Sequence, residues 1–370
     1  MRNRTTLNYS IKPLIAIVVI GLSAGITLTL MGAQHISMVV DKVGTVLGVQ
    51  TNRDKQTKLI VANKLQEADK FLTATPNPII KISMEGKMAN DPNKINTIKS
   101  LEDVKKIYTL GYAYKVTRNP KYLTKATEFI LAWAKTYKVT GNSIDESHLQ
   151  PLFEGYGWTR PFMSGEDVNT IDSWLNSIAD KEMKVKYNDV RDLNNWNSHR
   201  INIVGQIGYL TGNSEYINYA IEAYKKQVQD NLLPEGGSTD FLDRDALHYH
   251  SYNIWPLLYF AKTASLNGVD LYDYTSASGA SLRKSVHFLF PYFSGEKTHM
   301  EFVNSNAAWD KKNAKKLWVP KNDLYILELA YFFDDDTLPL IQKLRNTKAE
   351  VPSFETMLAY EQRNEVKLEN

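Results

Sequence analysis

The chain has 370 residues, a formal net charge of +3, apolar and charged fractions typical of a globular protein, and no cysteine. That length holds one large domain or two small ones, with a sizeable core. The small charge argues against a nucleic-acid surface, and the missing cysteine removes disulfides, thiolate metal sites and a thiol nucleophile.

Arg2, Arg4 and Lys12 precede an uncharged run from Pro13 to Ala33. A spanning helix needs about 20 apolar residues, whereas a signal-peptide core has about 7–15. Residues 1–33 therefore read as a membrane anchor or a signal peptide, with the basic flank cytoplasmic. Either one exports the rest of the chain. The expected location is periplasmic, anchored to the inner membrane or secreted through the signal peptide.

Residues 34–75 read as a polar helical linker. Thr75-Pro76-Asn77-Pro78 breaks the chain, so the main domain is expected over 76–350. From Leu101 onward helical periodicity dominates. Val104, Ile107, Tyr108 and Gly111 form one stripe, and Phe129, Ile130, Trp133 and Ala134 another. Ser164, with Asp167 three residues on, opens a third that runs through Ile171, Trp174, Leu175 and Ile178. Strand-like alternation is scarce. Two similar turns, Thr117 to Leu123 and Thr211 to Ile217, each separate two helices and put Tyr on the first turn of the second. Many antiparallel helices joined by short turns imply an all-α bundle or toroid. Asn322 to Phe333 reads as the last amphipathic helix, and 351–370 as a charged, frayed tail.

Two polar clusters stand out from this helical background. The first is Asn194-Asn195-Trp196-Asn197-Ser198-His199-Arg200. Asn195 and His199 share one face with Ile203 and Ile207, so that face is polar at its start and apolar further in. Asn194 suits the N-cap, and the helix dipole then favours an anion there. The second cluster follows Gly236-Gly237 and places Arg244, His248, Tyr249, His250 and Tyr252 where a loop enters a helix. Glu235, Asp240 or Asp243 could orient them. Tyr156, Trp158 and Arg160 are further candidates for lining a cleft.

Three chemistries use such residues. A metal site through His248 and His250 is disfavoured, because i, i+2 positions on a helix diverge. Inverting glycoside hydrolysis needs two carboxylates, and Glu154, Glu235, Asp240, Asp243 and Asp245 are available. β-Elimination from a uronate needs a group to neutralise the carboxylate, a base for H5 and an acid for O4. Asn, His, Arg and Tyr supply these with no metal and no cofactor.

The two clusters resemble those of the alginate lyase superfamily, helical uronan lyases of the polysaccharide lyase 5 type and their relatives. The resemblance rests on three stretches: Ile144-Asp145-Glu146-Ser147-His148-Leu149-Gln150-Pro151-Leu152, Asn194-Asn195-Trp196 with His199-Arg200, and Gly236-Gly237-Ser238 running into Arg244 to His250. It implies an incomplete (α/α) toroid built from antiparallel helical hairpins. It also implies metal-independent β-elimination of an anionic uronate polysaccharide. The implied catalytic set is Asn195, His199, Arg244 and Tyr249, with Arg244 depressing the pKa of Tyr249. Asn194, Trp196, Arg200, His248, His250 and Tyr252 would join Tyr156, Trp158 and Arg160 in binding substrate. The chain departs from the alginate-specific members in carrying Trp196, not His, directly after the two asparagines. Arg244 also lies closer to its tyrosine than in those members, and only Lys87 and Lys94 loosely match a lysine-bearing loop near their domain start. The competing readings are a tethered exopolysaccharide-binding protein without catalysis and an inverting glycoside hydrolase on the same toroid.

Overall fold

Short polar caps start the helices. In the computed structural model, which describes residues 53–307, 310 and 316–369, a first helix (α1) covers 53–71. The expected anchor or signal run lies outside the described residues. Asp91 accepts from the backbone N–H groups of Asn93 and Lys94 and opens α2, Pro92–Thr117. Asn119 caps α3, Pro120–Thr136, with proline at the first helical position, where its missing N–H is harmless. A short turn of helix (α4, Ser143–Glu146) leads into α5, Gln150–Thr159. Ser164 accepts from Asp167 N and starts α6, Gly165–Lys184. The central helix α7, Asn195–Thr211, ends on left-handed Gly212, and Asn213 caps α8, Ser214–Asn231. The two similar turns in the sequence are thus both corners of helical hairpins.

The later helices are shorter apart from one. They are α9 (Thr239–Arg244), α10 (Leu247–Ser265), α11 (Leu282–Phe288), α12 (Phe290–Phe293), α13 (Leu324–Ala330) and α14 (Thr337–Leu344). Pro256 sits inside α10 without ending it. Among the described residues, β-structure amounts to one antiparallel pair, β1 (Met300–Glu301) with β2 (Lys316–Leu317), and isolated bridges. No described helix is long and apolar enough to cross a membrane.

Two cores hold the unit Gln56–Asn370 together. Leu110, Phe129, Trp133, Tyr156 and Ile178 fill the space among α2, α3, α5 and α6. Ile254, Leu257, Phe260, Val286 and Ile326 fill the space among α7, α8, α10, α11 and α13. Helix α7 belongs to both. It gives Ile203, Val204 and Ile207 to the first core and Ile201 to the second. The chain's flanks are also packed. Ala68 of the expected linker is buried in the first core. Residues 351–370, expected as a frayed tail, instead carry helix α15, Phe354–Glu369, whose Met357 and Leu358 are buried beside Tyr112. Charge on one face hid an apolar stripe on the other.

Helices α2 and α5 cross where neither has a side chain. A Cβ on Gly111 would lie 2.7 Å from the Gly155 carbonyl oxygen, and one on Gly155 would lie 2.7 Å from that of Ile107. The contact is backbone on backbone, so neither neighbour can yield cheaply. Gly111→Ala should therefore destabilise the protein by about 1–3 kcal/mol, read from urea or thermal unfolding. Gly165→Ala, at an open helix start with nothing within 4 Å of the new Cβ, should be neutral or stabilise by about 0.4–1 kcal/mol.

Candidate active site

The first polar cluster is held by a carboxylate from the second. Asn194 caps α7 by accepting from Trp196 N at 3.1 Å. One oxygen of buried Asp240, on α9, accepts from the backbone N–H of Asn195 at 3.1 Å and from its side-chain amide at 2.7 Å. The other accepts from Asn231 Nδ2 at 2.8 Å. Asn231 Oδ1 in turn accepts from Asn253 Nδ2, and Asn253 Oδ1 accepts from Ser198 Oγ. This buried network ties α7, α8, α9 and α10 together. It uses one amide hydrogen of Asn195 and leaves the second for the cleft that Asn195 lines. Burial raises the pKa of Asp240, opposed by its three N–H donors.

The loop before α9 needs Gly236. Gly236 has φ +101°, and a Cβ there would meet the Lys284 carbonyl at 2.5 Å. That close approach lets His250 bridge the loop to α11. Its Nε2 donates to Ser285 O and its Nδ1 accepts from Ser238 Oγ, both at 2.9 Å. Burial pushes its pKa down to about 4, which keeps it neutral for both bonds.

Arg244 ends α9. Its guanidinium makes a two-pronged ion pair with buried Asp310 and lies 3.7 Å from the centre of the Tyr249 ring. Tyr249 stands on the first turn of α10, whose leading N–H groups, on Leu247 and His248, donate to Glu301 Oε1 at 2.8 and 3.4 Å. Burial pushes the Glu301 carboxyl up to about 7 against these bonds.

These residues open onto one cleft. Asn194, Asn195, Trp196, Arg244, His248, Tyr249 and Tyr252 line one wall. The other wall is the loop from Met84 to Lys87, with Lys94. Asp145 fixes that loop, accepting from Met84 N and Glu85 N at 2.8 Å each. Lys87 and Lys94 bring positive charge to this wall beside Glu85, and Lys87 pairs with Asp91 at 3.6 Å. A second hollow also borders Asn195 and Arg244 and extends the groove past Leu193, Leu242 and Asp243.

Several residues expected in the cleft lie elsewhere. His199 is wholly buried behind it, with ring centroids 4.5 Å from Tyr252 and 5.5 Å from Trp255, and neither ring nitrogen has a hydrogen-bond partner. Burial, with His148 nearby, pushes its pKa down to about 3. One helical turn past Asn195 is far enough to enter the core. His250 is buried as described. Tyr156 is a core residue whose hydroxyl donates to Asp172 at 2.6 Å, and Arg160 pairs with the same carboxylate at 2.7 Å. Trp158 packs on Tyr108 and Tyr112. Arg200 is buried between Glu182 and Asp192. Their aromatic and cationic character served packing, which the sequence pattern does not distinguish from binding. Arg244 does pull the Tyr249 phenol down, as expected, but burial outweighs it and the pKa stays above its ordinary value. Of the carboxylates available for hydrolysis, Glu154 pairs with Lys262 in another cavity, at 3.3 Å. Asp240 is committed to its amides.

The residues that sequence reasoning missed are Asp310 and Glu301. Asp310 is separated from Arg244 by 66 positions, and no local pattern marks either one. Asp145 lies inside the Ile144–Leu152 stretch, where no local pattern marks it as the residue that fixes the lysine loop.

The family model described as alginate lyase matches residues 49–299. An exo-oligoalginate lyase from Saccharophagus degradans is 25% identical over 191 residues, which are 44% of this chain and 25% of that protein. The chain thus aligns with about a quarter of that relative's length. An alginate lyase from Bacteroides ovatus has a similar structure, with a TM-score of 0.62 at 18% identity, covering 86% of this chain and 97% of that one. Alginate lyase A1-III from Sphingomonas species A1 gives a TM-score of 0.54 at 21% identity, over 75% and 88% of the two chains. A variant of that lyase complexed with tetrasaccharide gives 0.54 at 23% identity, over 71% and 78%. These likenesses agree with an (α/α) toroid.

Asp240→Asn replaces an acceptor oxygen with a donor that faces amide donors. It should destabilise by about 1–3 kcal/mol in thermal unfolding, whereas exposed Asp243→Asn should stay within about 0.5 kcal/mol. Glu301 gives a pH signature. Its folded-state pKa of about 7 lies above the ordinary value of 4.5. Its stabilising share is therefore full below the unfolded value and is lost as pH rises through about 7. Wild type should lose stability relative to Glu301→Gln over that window in melts run across pH, and parallel curves would count against the assignment.

Proposed function

We propose, proceeding from the fact that the chain belongs to the alginate lyase family, that it is an exported lyase that cleaves a uronate polysaccharide by β-elimination. The observation that carries this reading is the convergence of Asn195, Arg244 and Tyr249 on one cleft with a lysine-bearing opposite wall.

In this reading the uronate carboxylate lies against the free Asn195 amide hydrogen, within the field of Lys87 and Lys94. Drawing charge from the carboxylate acidifies the C5 proton. Tyr249, as phenolate, takes H5. The C5 electron pair forms the C4=C5 double bond and the C4–O4 bond breaks. The same tyrosine returns the proton to O4. One residue can serve both steps only where H5 and O4 lie on the same side of the ring, as in mannuronate and glucuronate. His199, buried and neutral, is poorly suited to supply a base on the opposite face, so guluronate and galacturonate are disfavoured. Trp196 packs on Tyr187 at 5.2 Å and offers its ring to the sugar. Because the resting phenol is held above its usual pKa, turnover should rise with pH from neutrality until Tyr249 ionises.

The test is the near-ultraviolet absorbance of the conjugated C4=C5 product, with polymannuronate and glucuronan as substrates. Tyr249→Phe should lower kcat by about 10⁴-fold, at the upper end for acid–base catalysis by one residue. Asn195→Ala should lower it by about 10²–10³-fold, like loss of an oxyanion donor. Tyr252→Phe is the control and should keep most activity. Retained turnover in Tyr249→Phe with loss in His199→Ala would reassign the base. A fold-intact protein that binds these polymers but never yields the chromophore would favour the binding-protein reading. Export is tested separately: a periplasm-active reporter fused after Ile60 should be active, and an inactive fusion would overturn it.

A further inference from the structure

The family match ends at residue 299, yet the segment just beyond it clamps the loop that carries Arg244. Phe302 N donates to Asp245 O at 2.7 Å, and Asn304 N donates to Asp245 Oδ2 at 2.7 Å. Asn306 N donates to Asp243 O at 3.0 Å. At the end of this strap stands Asp310, only 2% exposed. Its carboxylate accepts from Arg244 Nε and Nη2, and also from Ser305 Oγ at 2.6 Å. A guanidinium carries five N–H donors in a rigid plane. Two of Arg244's are spent on Asp310, and the flat of the group rests on the Tyr249 ring.

Resting on the lyase reading above, we propose that Asp310 is a positioning residue of the active site. It holds Arg244 against Tyr249 by its Nε–Nη2 edge, so that the guanidinium acts on the phenol through its charge from a fixed position. Residues 302–307 and Asp310 are then a working part of the site, although they lie outside the family match. A free arginine in a cleft would turn its whole fork to the polyanion. This one is anchored along one edge by a buried acid before any substrate arrives, and only its remaining N–H groups are left for the substrate.

The proposal has a signature that a scaffold role lacks. The charged and titratable groups around Tyr249 are Arg244, Asp310 and Asp240, His248 and Glu301 at the start of its own helix, and Glu85, Lys87 and Lys94 across the cleft. Asp310→Asn keeps the shape and one acceptor for Arg244 but removes the negative charge. Arg244 stays, less neutralised, and the Tyr249 titration should move to lower pH. Asp310→Ala removes both acceptors. Arg244, the stronger of the two influences, is released from the ring, and the titration should move to higher pH. The titration is read by NMR of the full chain carrying carbon-labelled tyrosine, with the Tyr249 signal assigned from Tyr249→Phe. Turnover of polymannuronate by Asp310→Ala should fall by about 10²-fold, the scale of a small misplacement of a catalytic group, with KM changed far less. Asn304→Ala, which removes only the side-chain bond from Nδ2 to Asp245 Oδ2 at 3.1 Å and keeps the backbone bonds that hold 302–306 and Asp310 in place, should leave the titration in place. Shifts of the same sign in both Asp310 variants, or no shift in either, overturn the proposal. So does a rise in KM that accounts for the whole loss of activity. If Asp310→Ala does not fold, the downward shift in Asp310→Asn with none in Asn304→Ala decides it. Absence of lyase activity in wild type would sink the functional reading alone, because the titration needs no substrate.

Discussion

Buried Asp240 takes three N–H donors, two of them from Asn195, which lies 45 positions away in the chain. Everything at the site depends on that grip. It satisfies a backbone N–H at the open start of α7, one of the orphan donors that every helix leaves. It also orients an amide that would otherwise rotate freely, and it joins the two polar clusters into one wall. A buried carboxylate is costly unless its oxygens are filled. Here Asn195 and Asn231 fill them, and Asn253 and Ser198 extend the network into α10 and α7. The cleft face is therefore tied by hydrogen bonds to the helices behind it.

A second theme is the contest between burial and charge. Around Tyr249 the nearby guanidinium favours the phenolate, yet burial favours the phenol and prevails in the free site. At His199 nothing opposes burial, and the ring is neutral. At Glu301 burial holds a carboxyl near neutrality although it caps the helix that carries Tyr249. The site is built partly from groups whose charge states depend on how much water reaches them. A bound polyanion that displaced that water would change the same balance.

The all-α class, the hairpin corners at 117–120 and 211–214, and the Ser164 and Asn194 caps were legible in the sequence. Each follows from side chains within four residues of one another, where spacing alone decides who can meet. The cleft positions of Asn195 and Tyr249 were legible for a related reason, since polar residues at a helix start have few other places to go. Arg244 ends α9, and its expected place in the site rested on the resemblance. Tyr156, Trp158, Arg160 and Arg200 misled, because a ring or a cation over a carboxylate looks the same in sequence whether it lines a groove or seals a core. The charged C-terminal stretch misled likewise, as Met357 and Leu358 gain meaning only beside Tyr112.

The sequence by itself determined the helices, their corners and the polar helix starts at Asn195 and Tyr249, because periodicity and capping are local. Only the tertiary structure decided what those side chains can do. The packing of α10 on α7 buried His199 behind Tyr252. The strap beyond residue 299 brought Asp310 to Arg244 across 66 positions. Asp145 set the lysine loop against Asn195. Ion pairs and burial between distant segments carry no period, so the chain had to fold before they existed.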